Sequence, residues 1–547
     1  MWPRWGYKEH SETPTKPQRG DTSVAENEKR MRGLNVFLWP VMNVFLLCNV
    51  ECYSQSELAS GIRAVAHSAS IPVLKGRAEN PVLRLAISIP DGKTFQSTNL
   101  HCSLNNFKDV EKINVFNTGA EPFSTTNLIT YFQPTSTVFN IPVSLDLQPG
   151  IRFLWLSIVL KNDASVNKKI ELRCQQITDG KGNKIAVIQQ KGNNAKYTGV
   201  AIRNAGDNGV NTYRIPGLVQ TNKGTLIGVY DVRYNNSSDL PGYIDLGMSR
   251  STDSGRSWQP MKVIMRMGGP NDNSGVGDPS ILFDETTKTI WVAALWSKGN
   301  HSIAGSIGGL SPDSTGQWLL TKSTDDGNTW SEPMNITAQI KDPAWKLFFQ
   351  GPGKGIMMHD GKLVFPAQYW DAKNIPYSTI VYSDDHGNTW KGKMAGPKSN
   401  TTESQIIETA PGVLMLNMRD NRGNYRSVAT SANMGQSWTE HPSSYNALVD
   451  PVCMGSLIKA RVMVKGKMKD VLFFSNPATK SGRYNMTIKA SLDMGETWSN
   501  ANELLIDERQ CYGYSCLTKI DDHTIGILYE GVRDLYFVKV PVSDLIR

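Results

Sequence analysis

Ser251-Thr252-Asp253-Ser254-Gly255-Arg256-Ser257-Trp258 is the first of five copies of one octapeptide, Ser-x-Asp-x-Gly-x-Ser/Thr-Trp. The others span Ser323–Trp330, Ser383–Trp390, Ser431–Trp438 and Ser491–Trp498, the fourth with Asn433 in place of Asp. Each copy follows a short alternating run, such as Ile244-Asp245-Leu246-Gly247-Met248 or Met486-Thr487-Ile488-Lys489-Ala490. Period-two alternation is the mark of a half-buried strand, so the octapeptide reads as the turn that closes it. The carboxylate can accept hydrogen bonds from its own turn, and the Gly supplies a positive φ. The closing Trp is large enough to pack between neighbouring sheets. Successive copies start roughly 50 to 70 residues apart, room for one four-stranded propeller blade with its loops. Read this way, the repeats are scaffold and carry no chemistry themselves.

The rest of the chain fits around that array. Its 547 residues exceed one ordinary core, so two domains are expected. The 47 Gly and 14 Trp suit an all-β architecture. A net charge of +8, from 58 basic and 50 acidic residues, is a mild excess compatible with anionic sugars. No basic run interleaved with aromatics argues for nucleic acid. Residues 1–54 read as a leader: a polar stretch, then Met31-Arg32, an apolar run from Leu34 to Val50 and small polar residues near Ser54. That is the pattern of a secretory signal peptide, with Met31 as a candidate true start. Pro40, Asn35 and Asn43 make the run a poor membrane span. The expected location is therefore periplasmic, cell-surface or secreted, with no stable membrane span.

Residues 55–192 read as a separate β-sandwich. Phe139, Ile141, Val143, Leu145 and Leu147 alternate with polar residues and Pro142, Leu83 to Ile89 alternate likewise, and Phe153–Leu160 is continuously apolar. A linker is expected near Gly192-Asn193-Asn194, and a propeller over 193–547. Export permits disulfides, with Cys102–Cys174 favoured and Cys511–Cys516 as a further pairing. No metal-ligand spacing is visible.

Upstream of the octapeptides stands Tyr213-Arg214-Ile215-Pro216. Together, these features resemble the bacterial exo-α-sialidases (neuraminidases), from about Tyr197 to the C-terminus. The resemblance implies a six-bladed β-propeller, no cofactor, and hydrolysis of terminal α-linked sialic acid with retention. Glycoproteins, glycolipids and oligosaccharides would be the sialylated partners, and the N-terminal sandwich would resemble a carbohydrate-binding module. The rivals are a trans-sialidase or intramolecular sialidase with the same catalytic set, and a non-catalytic sialic-acid-binding propeller.

The chemistry explains which residues matter. Sialic acid bears a carboxylate on its anomeric carbon, and guanidinium groups match a carboxylate in geometry and sign. By resemblance Arg214, Arg419 and Arg483 hold it, with Arg422 and Arg426 competing for the place of Arg419. A carboxylate nucleophile would be repelled there, and sialidases use a Tyr. A phenol needs a base, since its unperturbed pKa is about 10. Tyr514 matches the nucleophile, with Tyr512 as local rival, and Glu403 matches the base, with Glu408 as rival. Asp239, on the polar loop Arg233–Pro241, matches the acid/base. Arg233 and Asp278 match positions near the sugar's 4-hydroxyl, and the neighbouring Gly277 is small where relatives often have a bulkier residue, so the resemblance does not define the N-acyl pocket. Glu530 matches the carboxylate that orients Arg214.

Overall fold

The computed structural model describes residues 61–190 and 194–546. The leader and most of the expected linker lie outside the described residues. Apart from two four-residue helices, Thr337–Ile340 and Val542–Leu545, the described regular structure is strand with a few 3-10 turns. The architecture is a six-bladed β-propeller preceded by a barrel-like β-sandwich.

Blades one to five run in chain order. The first blade is built from Thr212–Gln220, Leu226–Arg233, Ile244–Ser251 and Lys262–Met265, paired antiparallel in sequence. The sixth takes three strands from the C-terminus, Ser515–Asp521, Thr524–Glu530 and Leu535–Pro541. Its fourth, Lys196–Arg203, comes from before the first blade and pairs with Leu535–Pro541, which closes the ring. This explains five octapeptides for six blades. The turn joins a blade's third strand to its fourth, and in the sixth blade no covalent turn makes that join.

The octapeptides have the expected turn chemistry. Asp253 accepts from Ser251 Oγ, Ser257 N and Ser257 Oγ at 2.8, 2.9 and 2.7 Å, and Gly255 has φ 82°. The residue before each Gly is also left-handed, including Ser254 and His386, which composition did not reveal. Trp258 meets Phe537 of the sixth blade edge-on at 5.2 Å, and Trp390 meets Trp291 of the second at 5.9 Å. The Trp residues do pack between sheets.

The N-terminal unit is a nine-stranded sheet whose buried alternation includes Phe139, Ile141 and Val143 on Val138–Leu147. Cys102 and Cys174 stand opposite each other on paired strands, but both are thiols. The Cys511–Cys516 pairing is not formed either: Cys511 Sγ turns to the Arg483 carbonyl and Cys516 Sγ to that of Leu218. Two short strands outside the nine-stranded sheet, Val73–Lys75 and Lys169–Ile170, pair with Lys196–Arg203 and so extend the sixth blade.

Candidate active site

The first strands of neighbouring blades pack side by side around the axis. Several of them are kinked there. Ile215 has φ 56° beside a register shift between Arg214 and Gly217, and Asp278 has φ 56° beside one between Gly277 and Ser280. A β-branched residue at positive φ is a steric outlier that persists only where its surroundings impose it. Val452 (φ 58°) and Gly513 (φ 96°) bend the chain just before the inner strands of the fifth and sixth blades.

Side chains from blades one, four, five and six converge where these kinks lie. The Tyr514 hydroxyl donates to Glu403 Oε1. Arg419 Nη1 donates to Glu403 Oε2 at 2.6 Å and to the Tyr514 hydroxyl at 3.2 Å. On the other side, Glu530, fully buried, accepts from Arg214 Nε at 3.2 Å and from the amides of Ile215 and Tyr514 at 2.8 Å. One carboxylate thus fixes both Arg214 and the backbone of Tyr514. The Arg214 guanidinium lies 5.4 Å from the Tyr514 ring centroid, and that of Arg483 5.8 Å. Arg483 is itself steered by the carbonyls of Tyr512 and Val452, at 2.8 and 3.1 Å.

Asp239 caps the group from the loop of the first blade. Its Oδ1 accepts from Arg233 Nη1 at 2.7 Å and Arg214 Nη1 at 3.2 Å, while its side chain remains 69% exposed. Asp278 arrives from the second blade, its amide donating to Asp231 Oδ1 at 2.8 Å. All nine residues singled out in the sequence are therefore in or beside one cluster.

The rivals separate by their contacts. Arg422 is engaged by Asp420 at 3.0 Å, and Arg426 is fully buried against Asn417 and the Cys453 carbonyl. Glu408 pairs with His359, away from Tyr514, as a strand-end residue would. Tyr512 lies under Arg214, ring centroid 4.8 Å from the guanidinium carbon, and is a wall rather than a partner of Glu403. Asp231 was missed. Its signal was faint: an Asp two residues before Arg233 on one strand, hence on the same face.

The electrostatics follow from burial and pairing. Burial, then the Glu403 charge, pushes the Tyr514 phenol well above its ordinary pKa. Burial works to raise Asp239, but the guanidiniums of Arg233 and Arg214 outweigh it and hold the carboxyl below its usual value. Burial and then the neighbouring Asp231 and Asp239 push Asp278 well up. Burial also raises Asp231, to about 6, but the Arg233 guanidinium and the Asp278 amide donate to it, so of the buried pair it is the one that ionises first. Arg419 Nε is buried and has no acceptor among the described residues. Such a cluster can hold a carboxylate between cations and place a buried phenol, with a base, beside it. Among the described residues no group of His, Cys, Asp and Glu is arranged to hold a metal. A separate cavity of about 460 Å³ at the seam with the sandwich, lined by Lys168, Arg256 and Lys539, shares no residue with this cluster.

Comparison with known proteins gives the cluster its family. Residues 215–501 match the BNR repeat-like domain, and residues 61–183 match the N-terminal domain of BNR-repeat neuraminidase. The chain is 49% identical over 410 residues to a sialidase of Bacteroides fragilis, covering 73% of this chain and 75% of that one. It is 34% identical over 351 residues to a sialidase of Micromonospora viridifaciens, covering 62% of this chain and 53% of the other. Among solved structures, the Hadza microbial sialidase Hz136 superposes with a TM-score of 0.81 at 39% identity, over 88% of this chain and all of that one. Sequence, fold and relatives agree, and the chain belongs to the BNR-repeat neuraminidases, the bacterial exo-α-sialidase family of glycoside hydrolases.

Proposed function

We propose that this enzyme, after export, removes terminal α-linked sialic acid from glycoconjugates with retention, through Tyr514 as nucleophile. The contact between the buried Tyr514 hydroxyl and Glu403, beside three arginines, is the observation that carries the reading. The substrate carboxylate sits among Arg214, Arg419 and Arg483, which brings the anomeric carbon to the phenol. The Tyr514 oxygen attacks that carbon as its proton passes to Glu403. The bond to the leaving oxygen breaks, and Asp239 protonates that oxygen. Water, deprotonated by Asp239, then attacks the anomeric carbon, the bond from that carbon to the tyrosine oxygen breaks, and the tyrosine oxygen recovers its proton from Glu403. Two inversions give net retention.

Arg214 and Arg233 hold Asp239 ionised. Substrate changes that. Its carboxylate competes for Arg214, relieves Asp239 of one cation, and so raises the carboxyl's affinity for the proton it must deliver.

Incubation with a fluorinated sialosyl fluoride tests the nucleophile. The wild type is expected to gain one covalent adduct on Tyr514 by peptide mass spectrometry, and Tyr514→Phe none. An adduct on another residue would sink the assignment. Asp239→Ala tests the acid, with a larger loss of kcat/KM on sialyllactose than on an activated aryl sialoside, whose leaving anion needs no proton. Proton NMR of the first-formed sugar separates hydrolysis with retention, which yields the α-anomer, from intramolecular transfer, which yields an anhydro sugar. Sequencing the mature N-terminus checks export.

A further inference from the structure

Asp231 lies buried beside the site, and the steps above give it no part. It stands on Leu226–Arg233, and its Oδ2 accepts from Arg233 Nε and Nη2 at 3.1 and 2.8 Å. Its Oδ1 accepts the Asp278 amide at 2.8 Å. The remaining nitrogen of Arg233, Nη1, points the other way, to Asp239 Oδ1 and the Ser237 carbonyl, each at 2.7 Å. One guanidinium is thus shared between a buried carboxylate and the exposed one on the catalytic loop. A second observation lies on the neighbouring blade. A β-carbon at Gly277 would stand 3.0 Å from both oxygens of Asp231. The missing side chain of Gly277 and the left-handed turn at Asp278 have one cause: the chain bends to bring an amide onto Asp231.

We propose that Asp231 is the positioning residue of the acid/base unit. It fixes Arg233 and Asp278 from beneath, and it balances the charge of Arg233 so that Asp239 can take up a proton. The inference rests on the reading of Asp239 as the acid. The charged and titratable groups bearing on this unit are Arg214, Arg233 and Arg483 on one side and Asp278, Glu403 and Glu530 on the other. Removing the Asp231 charge leaves Arg233 uncompensated beside Asp239. That favours the Asp239 carboxylate, so the protonated fraction at a given pH falls. The alkaline limb of kcat, which reports the acid in the substrate complex, should then move to lower pH for substrates that need the acid.

Asp231→Asn in the full-length enzyme tests this, with kcat and kcat/KM each measured against pH on sialyllactose and on an activated aryl sialoside. The expected result is a loss of about 10-fold or more on sialyllactose, within the usual worth of an acid, and a smaller loss on the aryl substrate. The alkaline limb on sialyllactose should move down by about one pH unit, the lower end of what one neighbouring charge does. Gly277→Ala crowds the same carboxylate with a methyl group and should give a smaller change of the same sign. If Asp231→Asn does not fold, Gly277→Ala decides alone. Equal losses on both substrates with an unmoved alkaline limb would make Asp231 structural and overturn the proposal. Asp239→Ala keeps the two levels apart. If it loses equally on both substrates, the acid reading fails and this inference with it. If it is selective while Asp231→Asn is not, only this inference fails.

Discussion

A phenol that is buried and raised in pKa is neutral at any physiological pH, so Tyr514, as the proposed nucleophile, would have to give up its proton in the step in which it attacks. Glu403 is in hydrogen-bond contact to receive it, and Arg419 steadies Glu403. Glu403→Gln keeps the acceptor oxygen and the shape but cannot take the proton. We expect a folded protein whose kcat on an aryl sialoside falls about 10²–10⁴-fold. A loss below 10-fold would leave the phenol without a base. Arg419→Ala removes a charge from Glu403 and from the proposed seat of the substrate carboxylate together, and should cost about 2–5 kcal/mol in kcat/KM. Arg422→Ala is the control. Its guanidinium is spent on Asp420 and its side chain is 39% exposed, so activity should stay near wild type. Reversal of that order would exchange the two residues' roles. Three arginines within eight positions could not be ranked from spacing alone. What separates them is whether the side chain meets the axis, the carboxylate two residues before it or the blade interior, and the first and last of these contacts are non-local.

The octapeptide turn shows the opposite case, an element legible because it is made of local bonds. Asp325 accepts from Ser323 Oγ, Thr329 N and Thr329 Oγ1 at 2.8, 2.8 and 2.6 Å, all within four residues. The fourth copy repeats the pattern with an amide. Asn433 accepts from Ser431 and the Ser437 amide and donates to Ser437 Oγ at 2.8 Å. An amide therefore closes the turn as a carboxylate does, with a donated bond in place of one accepted by the charged group. Asp325→Asn should lower the melting temperature at pH 7 by less than Asp325→Ala does. Asp325→Ala should cost about 1–2 kcal/mol, the net worth of partly solvated hydrogen bonds. The Asp325 carboxyl is lowered to about 2 by these donors, against the opposing effect of burial. A depressed folded pKa contributes stability above the unfolded value of about 3.9, lost as pH falls towards 2. Asp325→Asn should flatten that acid decline in thermal melts between pH 4 and 2. An unchanged decline would place the sensitivity elsewhere. The kinks at Ile215 and Asp278 were not legible in this way. Left-handed backbone runs against the preference of the β-branched Ile215, and at Asp278 it accompanies an amide bond to Asp231 on the next blade.

At the scale of the whole molecule, the ring is closed by strand pairing between its two ends, and the sandwich is sewn into that closure. The sequence reading treats the sandwich as a separate unit, and its alternating strands were readable as such. The stitch was not. Val73–Lys75 has three residues, too few for a period, and it pairs parallel with Thr198–Val200 more than a hundred residues on. Leu74 is its anchor. It is completely buried in the cluster that holds Val538, Val540 and Ile525 of the sixth blade, and a β-carbon at Gly199 would stand 3.0 Å from it. Arg77 adds an ion pair to Asp534 at 3.0 Å. The sixth blade also carries Tyr514 and Glu530 at its inner edge, so its outer edge supports the catalytic residues at one remove. Leu74→Ala should therefore destabilise the propeller itself, by about 2–5 kcal/mol as for other buried Leu truncations. At 25 °C, where the protein is still folded, kcat/KM on an aryl sialoside should change less than about threefold, because no site residue is touched. Differential scanning calorimetry decides between coupling and independence. One melting transition that moves down as a whole in Leu74→Ala is the coupled outcome, and loss of sialidase activity on heating should track it. Two transitions, with activity lost at an unmoved second one, would mean that the propeller stands without the sandwich. Cutting the chain at residue 190 should then yield a stable enzyme rather than one with an open sixth blade.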